Sequence, residues 1–288
     1  MLQPQSKILI IGLGLIGGSY AEGLRKAGYE VGAITRSPET IDYALSHGLI
    51  DSGTTEVSAD YVSRFDILVF ALYPHTFLEW LRAHQDCIRP GALLTDVTGV
   101  KGAIVTQVQD LLRPDLEFIG AHPMAGREVG GVRNADCRIF QGANYIVTPT
   151  ERNTPEAIRT CEDLGRVLGF GHIARLSPQE HDEMIGFLSQ LTHCIAVALM
   201  NCKDSRHLVD YTGDSFRDLT RIARINAPMW SELFSLNKPA LLEQMDLFSE
   251  TFSRLREAIA ADDQQTIQEM MRISTERRSY FDPQETDL

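Results

Sequence analysis

The chain has 288 residues, 43% of them hydrophobic, enough for the cores of one or two ordinary domains. Its 39 acidic against 27 basic side chains give a formal net charge of -12, which argues against a surface built for nucleic-acid phosphates. Any anionic ligand must be met by a local cluster of cations. The five cysteines are scattered and odd in number with no CxxC spacing, so no disulfide framework or zinc site is suggested. The start "MLQPQSK" lacks a signal-peptide pattern and no unbroken apolar run reaches about 18 residues, so no spanning helix is expected and a cytoplasmic location is.

The first predicted elements lie in "KILIIGLGLIGGSYAEGLRKAG", a short apolar strand, a glycine turn and a helix that stops at Gly28. Gly12, Gly14 and Gly17 satisfy G-x-G-x-x-G in the context that gives the pattern meaning, a strand before and a helix after. A dinucleotide site needs a tight turn at Gly12, backbone approach to a pyrophosphate at Gly14 and close helix packing at Gly17. Leu15 and Ile16 complete the cofactor-contacting turn. The next strand, "EVGAIT", leads into Thr35, Arg36 and Ser37, where NAD-binding proteins of this type carry an acidic residue for the ribose hydroxyls. A guanidinium flanked by two hydroxyls suits a 2'-phosphate, so the cofactor is expected to be NADP, with NAD possible. Ser37 followed by Pro38 also reads as a helix N-cap, with Arg36 pointing into water.

Strands three to five, "DILVFAL", "ALLTDV" and "LEFIGA", alternate with helical segments, the pattern of a parallel sheet covered on both faces. "NYIVTP" and "HIARLS" extend the sheet. Two stretches, "DVTGVK" and "GAHPMAGRE", begin at carboxyl ends of strands, the edge where such sheets bind ligands, and this brings His122 towards the nicotinamide. From Pro178 the pattern is helical throughout, and a domain boundary is expected there: 1–178 for the dinucleotide, 179–288 for substrate and dimerisation. The fold class is therefore α/β, a Rossmann-type domain followed by an all-helical one.

On the long helix from Pro178, the spacing of Asp182, Gly186, Ser189 and His193 puts them on one face, as a small and polar lining for a cleft. In "SFRDLTRIAR", Arg217, Arg221 and Arg224 share a face, with Ser215 as N-cap and Asp218 as an internal partner. Leu241, Met245, Phe248, Phe252, Leu255 and Ile259 form an apolar stripe suited to a core or a subunit interface. The last residues, "DPQETDL", read as a mobile tail. No H-E-x-x-H or comparable ligand cluster is present, so no metal is expected.

"GLGLIGGS", "DVTGVKG", "GAHPMAGRE", "THCIAVAL" and "SFRDLTRIA...PMW", in this order, resemble the prephenate and arogenate dehydrogenase family of tyrosine biosynthesis over nearly the whole chain. The resemblance implies oxidative decarboxylation: hydride leaves the carbinol carbon of a cyclohexadienol, CO2 leaves the opposite ring carbon, and the ring becomes aromatic. It implies that His122 accepts a hydrogen bond from the ring hydroxyl and that Arg221 and His193 contact substrate. It also implies a homodimer formed through the helical domain. Thr98 and Glu128 complete the expected substrate contacts, Thr98 because Gly99 stands where many relatives have serine. Gln190 stands where many have histidine. Arogenate as substrate, a β-hydroxyacid-type dehydrogenase and a noncatalytic dinucleotide sensor are the competing readings. The second would use a lysine in the helical domain, where Pro178 to Lys203 has His193 and no interior lysine. On its length, no extra regulatory or mutase domain like that of some relatives is expected.

Overall fold

The computed structural model describes residues 2–204 and 206–282; most of the expected tail, 283–288, lies outside the described residues. Contacts divide the chain into two compact units, one ending at Lys238 and the other beginning at Pro239. The first unit holds an eight-stranded sheet: β1 (Lys7–Ile11), β2 (Glu30–Ile34), β3 (Ser52–Thr54), β4 (Ile67–Phe70), β5 (Leu93–Asp96), β6 (Glu117–Pro123), β7 (Asn144–Thr148) and β8 (His172–Arg175). Their spatial order is β3-β2-β1-β4-β5-β6-β7-β8, which puts the reversal of strand order between β1 and β4. Alternate residues of each central strand feed two cores. Ile8, Ile10, Ile67 and Val69 enter one, and Leu9, Ile11, Leu68 and Phe70 the other. Burial of both faces is why these strands read as unbroken apolar runs.

Two details differ from the sequence reading. β3 is an additional edge strand, and its three residues, Ser-Gly-Thr, carry no apolar alternation by which to recognise it. β7 runs antiparallel to β6, because the intervening chain holds two 3-10 turns, Val132–Asn134 and Cys137–Phe140, and no crossover helix. β6 is shared along its length: Glu117 to Ile119 pair with β5, and Gly120 to Pro123 pair with β7.

Helices α1 (Leu15–Lys26), α2 (Pro38–Ser46), α3 (Ala59–Val62), α4 (Pro74–His84), α5 (Gly102–Leu111) and α6 (Pro155–Val167) connect the strands. The expected long helix is continuous from Pro178 to Asn201, as α7 (Pro178–Ile185), a π-helical stretch (Gly186–Leu191) and α8 (Thr192–Asn201). Ser177 and Glu180 close a capping box at its start. Its best 18-residue window has a mean hydropathy of 1.4, so it is long and apolar enough by composition to cross a membrane, which corrects the expectation that no segment would qualify. That test is also met by core helices of soluble folds, and here His181, Asp182 and Gln190 are buried and hydrogen-bonded within the protein. Helices α9 (Asp214–Thr220) and α10 (Ala227–Leu236) finish the first unit, and α10 packs Leu233, Met229 and Trp230 against one face of the sheet. The second unit is formed by most of α11 (Lys238–Ala260) and by α12 (Gln264–Ser279).

Candidate active site

Gly12 leaves β1 with φ +98°, a conformation that excludes most side chains, and a Cβ there would lie 2.5 Å from the Ala71 carbonyl oxygen. A Cβ on Gly17 would lie 1.9 Å from the carbonyl oxygen of Gly12. Turn and helix packing thus require both glycines whatever binds. Gly14 differs, since its φ is -84° and a Cβ would meet nothing within 4 Å. It stands as N-cap of α1 beside Leu15 and Ile16, at the switch point, where open space above the backbone fits a pyrophosphate and has no packing role. Beyond β2, Ser37 caps α2: its hydroxyl accepts the Thr40 N–H at 3.2 Å and donates to Glu39 at 2.6 Å. Thr35 is half-buried and its N–H bonds the Thr54 carbonyl, whereas Arg36 is exposed and, among the described residues, has no ion pair.

His122 lies near the end of β6, its ring half-buried. The strand is held there by Asp96, which ends β5 and accepts the Ala121 N–H at 3.1 Å, continuing the pairing one residue past the ladder. The other Asp96 oxygen accepts the Lys101 ammonium at 2.6 Å, and both side chains are fully buried. Burial pushes the Lys101 ammonium down in pKa, opposed by the Asp96 charge. Gly120 makes room for this lysine, since a Cβ there would crowd Thr148, Val105 and the Lys101 stem.

Nδ1 of His122 lies 2.9 Å from Nε2 of His181, and Nδ1 of His181 lies 2.8 Å from Asp182 Oδ1. Asp182 accepts the N–H groups of Lys101 and Gly102, each at 2.7 Å, at the start of α5. Among the described residues no hydrogen bond reaches Nε2 of His122; a Cβ on Gly99 would lie 3.8 Å from it and 3.6 Å from Leu233. Burial holds His122 well below the ordinary histidine pKa, with His181 and Lys101 adding to the effect. His181 is also lowered, chiefly by burial.

Three other expected residues meet nearby. Arg221 forms an ion pair with Glu128 of the loop after β6, and both act on the charge state of His193. His193 donates from Nδ1 to the Ser189 carbonyl at 2.8 Å and its ring packs on Trp230 at 3.8 Å between centroids. Burial lowers its pKa.

Several expectations are corrected. Thr98 is buried: its hydroxyl sits against Asp96 and the Val100 carbonyl and receives the Lys101 ammonium at 3.1 Å, so it is already engaged within the protein. Asp182, expected on a cleft lining, is buried and bonded to the N–H groups that open α5 and to His181. The N-cap of α9 is Gly213, with Ser215 inside the helix. Arg217, Arg221 and Arg224 do not share a helical face, because α9 ends at Thr220, a 3-10 turn follows and Arg224 is non-helical. Arg217 bonds Asp214 and the Thr212 carbonyl, and Arg221 pairs with Glu128 in place of the expected Asp218. Gln190 bonds the Leu233 carbonyl and the Asn237 amide, a structural role that joins the π-helical stretch to the end of α10. Sequence reasoning passed over His181, Lys101 and Asp96. The available signals were a His-Asp pair opening a long helix, and an Asp and a Lys five residues apart at the carboxyl end of an apolar strand.

A glycine cradle at the switch point, and at the same sheet edge an imidazole with one nitrogen unbonded among the described residues, fit an NAD(P)-binding oxidoreductase of Rossmann type. The family described as prephenate dehydrogenase, nucleotide-binding domain, matches residues 20–169, and prephenate dehydrogenase, dimerization domain, matches 177–273. A prephenate dehydrogenase of Lactococcus lactis is 32% identical over 91% of this chain and 73% of its own. A cyclohexadienyl dehydrogenase of Zymomonas mobilis is 29% identical over 94% of both. The structure of a prephenate dehydrogenase from A. aeolicus in complex with hydroxyphenyl propionate and NAD+ superposes with a TM-score of 0.87, at 29% identity over 96% of this chain and 99% of that one. The chain belongs to the prephenate and arogenate dehydrogenase family.

Proposed function

We propose that the protein oxidatively decarboxylates prephenate to 4-hydroxyphenylpyruvate, with NADP+ preferred over NAD+, in the cytoplasm and as a homodimer. The observation that carries this reading is the open Nε2 of His122 beside Gly99, at the sheet edge that the glycine cradle shares. Bound NAD(P)+ supplies the hydride acceptor. Neutral His122 accepts the hydrogen bond of the ring hydroxyl, drawing the proton as the carbonyl character of that carbon grows. Arg221 keeps Glu128 at Nη1 and offers its remaining N–H groups to a substrate carboxylate, and both it and Glu128 act on the charge state of His193.

Preference for prephenate follows from the carboxylates that would favour arogenate's ammonium. Asp182 is committed to backbone N–H groups and Glu128 to Arg221, which leaves Asp218 alone. Preference for NADP+ rests on Arg36, exposed and without an ion pair among the described residues, although Ser37 has a capping role. Dimerisation is supported by the α11 stripe, where Met245, Phe248, Phe252 and Ile259 are exposed in the single chain, and by the dimerization-domain match. We place the functional division near residue 178, where the helical segment begins. Steady-state kcat/KM for prephenate and arogenate, each with both cofactors, tests the reading. Prephenate with NADP+ is expected to give the highest value; higher values with arogenate would reverse the substrate assignment, and absence of turnover with all four pairs would refute the enzyme reading.

A further inference from the structure

The geometry points to His181 and Asp182 as positioning residues that hold His122 in the single tautomer able to accept a proton from substrate, a proposal that rests on the reading of His122 as the base. Asp182 is where the direction of the chain is set. Its two oxygens accept the Lys101 and Gly102 N–H groups, and a carboxylate in that position can only accept from the His181 ring as well. His181 Nδ1 therefore carries a hydrogen. Burial and the nearby Lys101 charge keep His181 neutral, so its Nε2 has a lone pair. At 2.9 Å from that lone pair, Nδ1 of His122 must be the donor. Nε2 of His122 is then the unprotonated nitrogen, and it is the one beside Gly99.

The charged and titratable groups that bear on His122 are Lys101 with Asp96 from the β5–α5 segment and His181 with Asp182 from α7. Lys101 opposes a second proton on His122 and its charge is balanced by Asp96, so the arrangement favours the neutral ring without selecting a nitrogen. Selection comes from the hydrogen-bond chain alone. An imidazole presented in the wrong tautomer cannot act as base, however well it is placed.

The test combines a tautomer measurement with kinetics on the full chain. Two-bond 15N–1H correlation spectra of uniformly labelled protein near neutral pH should show His122 protonated at Nδ1 and bare at Nε2, and His181 likewise. His181→Leu, which fills the site without an acceptor, should lose that pattern at His122 and lower kcat by about 10-fold to 100-fold with little change in the KM of substrate or cofactor. His181→Gln, whose amide oxygen can stand near the former Nε2, should restore the Nδ1–H form and most of kcat. Nε2–H at His122 in the unaltered protein, or unchanged kcat in His181→Leu, would overturn the proposal. Should His181→Leu fail to fold, the spectrum of the unaltered protein still decides. If instead His122→Asn keeps full kcat while the spectrum shows Nδ1–H, the base assignment has failed and the tautomer lock stands.

Discussion

His122 is held neutral by burial and by two neighbours that oppose a second proton, which suits a group that must accept at cellular pH. His122→Asn is expected to lower kcat by about 100-fold to 10,000-fold while the KM for NAD(P)+ stays near normal, because the interaction lost strengthens as the hydroxyl proton moves. Stopped assays and steady-state rates would both show near-normal kcat if the assignment were wrong. Arg221 is largely exposed and already paired with Glu128, so on the proposed reading water and that carboxylate both weaken what a substrate carboxylate gains from it. Charge-assisted contacts contribute about 1.5 to 3 kcal/mol, and Arg221→Met should raise the substrate KM about tenfold without altering cofactor KM. An unchanged KM would shift attention to His193. Arg36→Ala should raise the KM for NADP+ about tenfold or more and leave NAD+ alone, since NAD+ has no 2'-phosphate to lose. Equal effects on both would leave Arg36 without a role in cofactor choice.

At the scale of elements, the β1–α1 turn separates glycines required by packing from one that packing does not require. Gly12 and Gly17 are locked by Ala71 and by each other, whereas Gly14 has open space at its Cβ position. Gly14→Ala is therefore expected to leave Tm unchanged and to raise the KM for NAD(P)+ at least about tenfold, equivalent to about 1.4 kcal/mol of lost binding. A fall in Tm with unaltered cofactor KM would contradict this separation. The π-helical stretch Gly186–Leu191 is a second device of this scale. Its wider turn breaks the 3.6-residue period, so the polar face counted from Asp182 to His193 does not persist through it. His193 is turned to Trp230, while both His181 and Asp182 are enclosed at the start of α7.

For the molecule as a whole, three histidines, His122, His181 and His193, have folded-state pKa values below the ordinary 6.5. As pH falls below that value the unfolded chain takes up protons that the folded one refuses, so stability rises with pH in this window and is lost on acidification towards the folded pKa values. Urea midpoints measured at about pH 8 and about pH 5.5 should be lower at the acidic end. An equal or higher midpoint at the acidic end would mean that these rings are not held neutral by the fold. The acidic net charge of -12 acts in the opposite sense, since self-repulsion eases as acids are protonated, but that relief belongs to lower pH, where carboxylates titrate.

Local pattern was enough to read the strand-glycine-helix start, the apolar central strands, the long helix from Pro178 and the family resemblance, because each depends on residues close together in the chain. The same locality made His122 and the glycine turn legible as candidates. What lay beyond reach depends on distant segments meeting. Ser52–Thr54 is a strand only because it lies against β2, and β7 reverses direction only because no crossover helix precedes it. Asp182 looks like a cleft residue on a helical wheel, yet it caps α5 from 80 positions away. Thr98 looks available on the loop after β5, yet a buried lysine and aspartate claim its hydroxyl. His181 has no special spacing to His122 in sequence; tertiary packing alone brings their nitrogens within hydrogen-bond distance, and so decides which nitrogen of His122 is left without a hydrogen bond among the described residues.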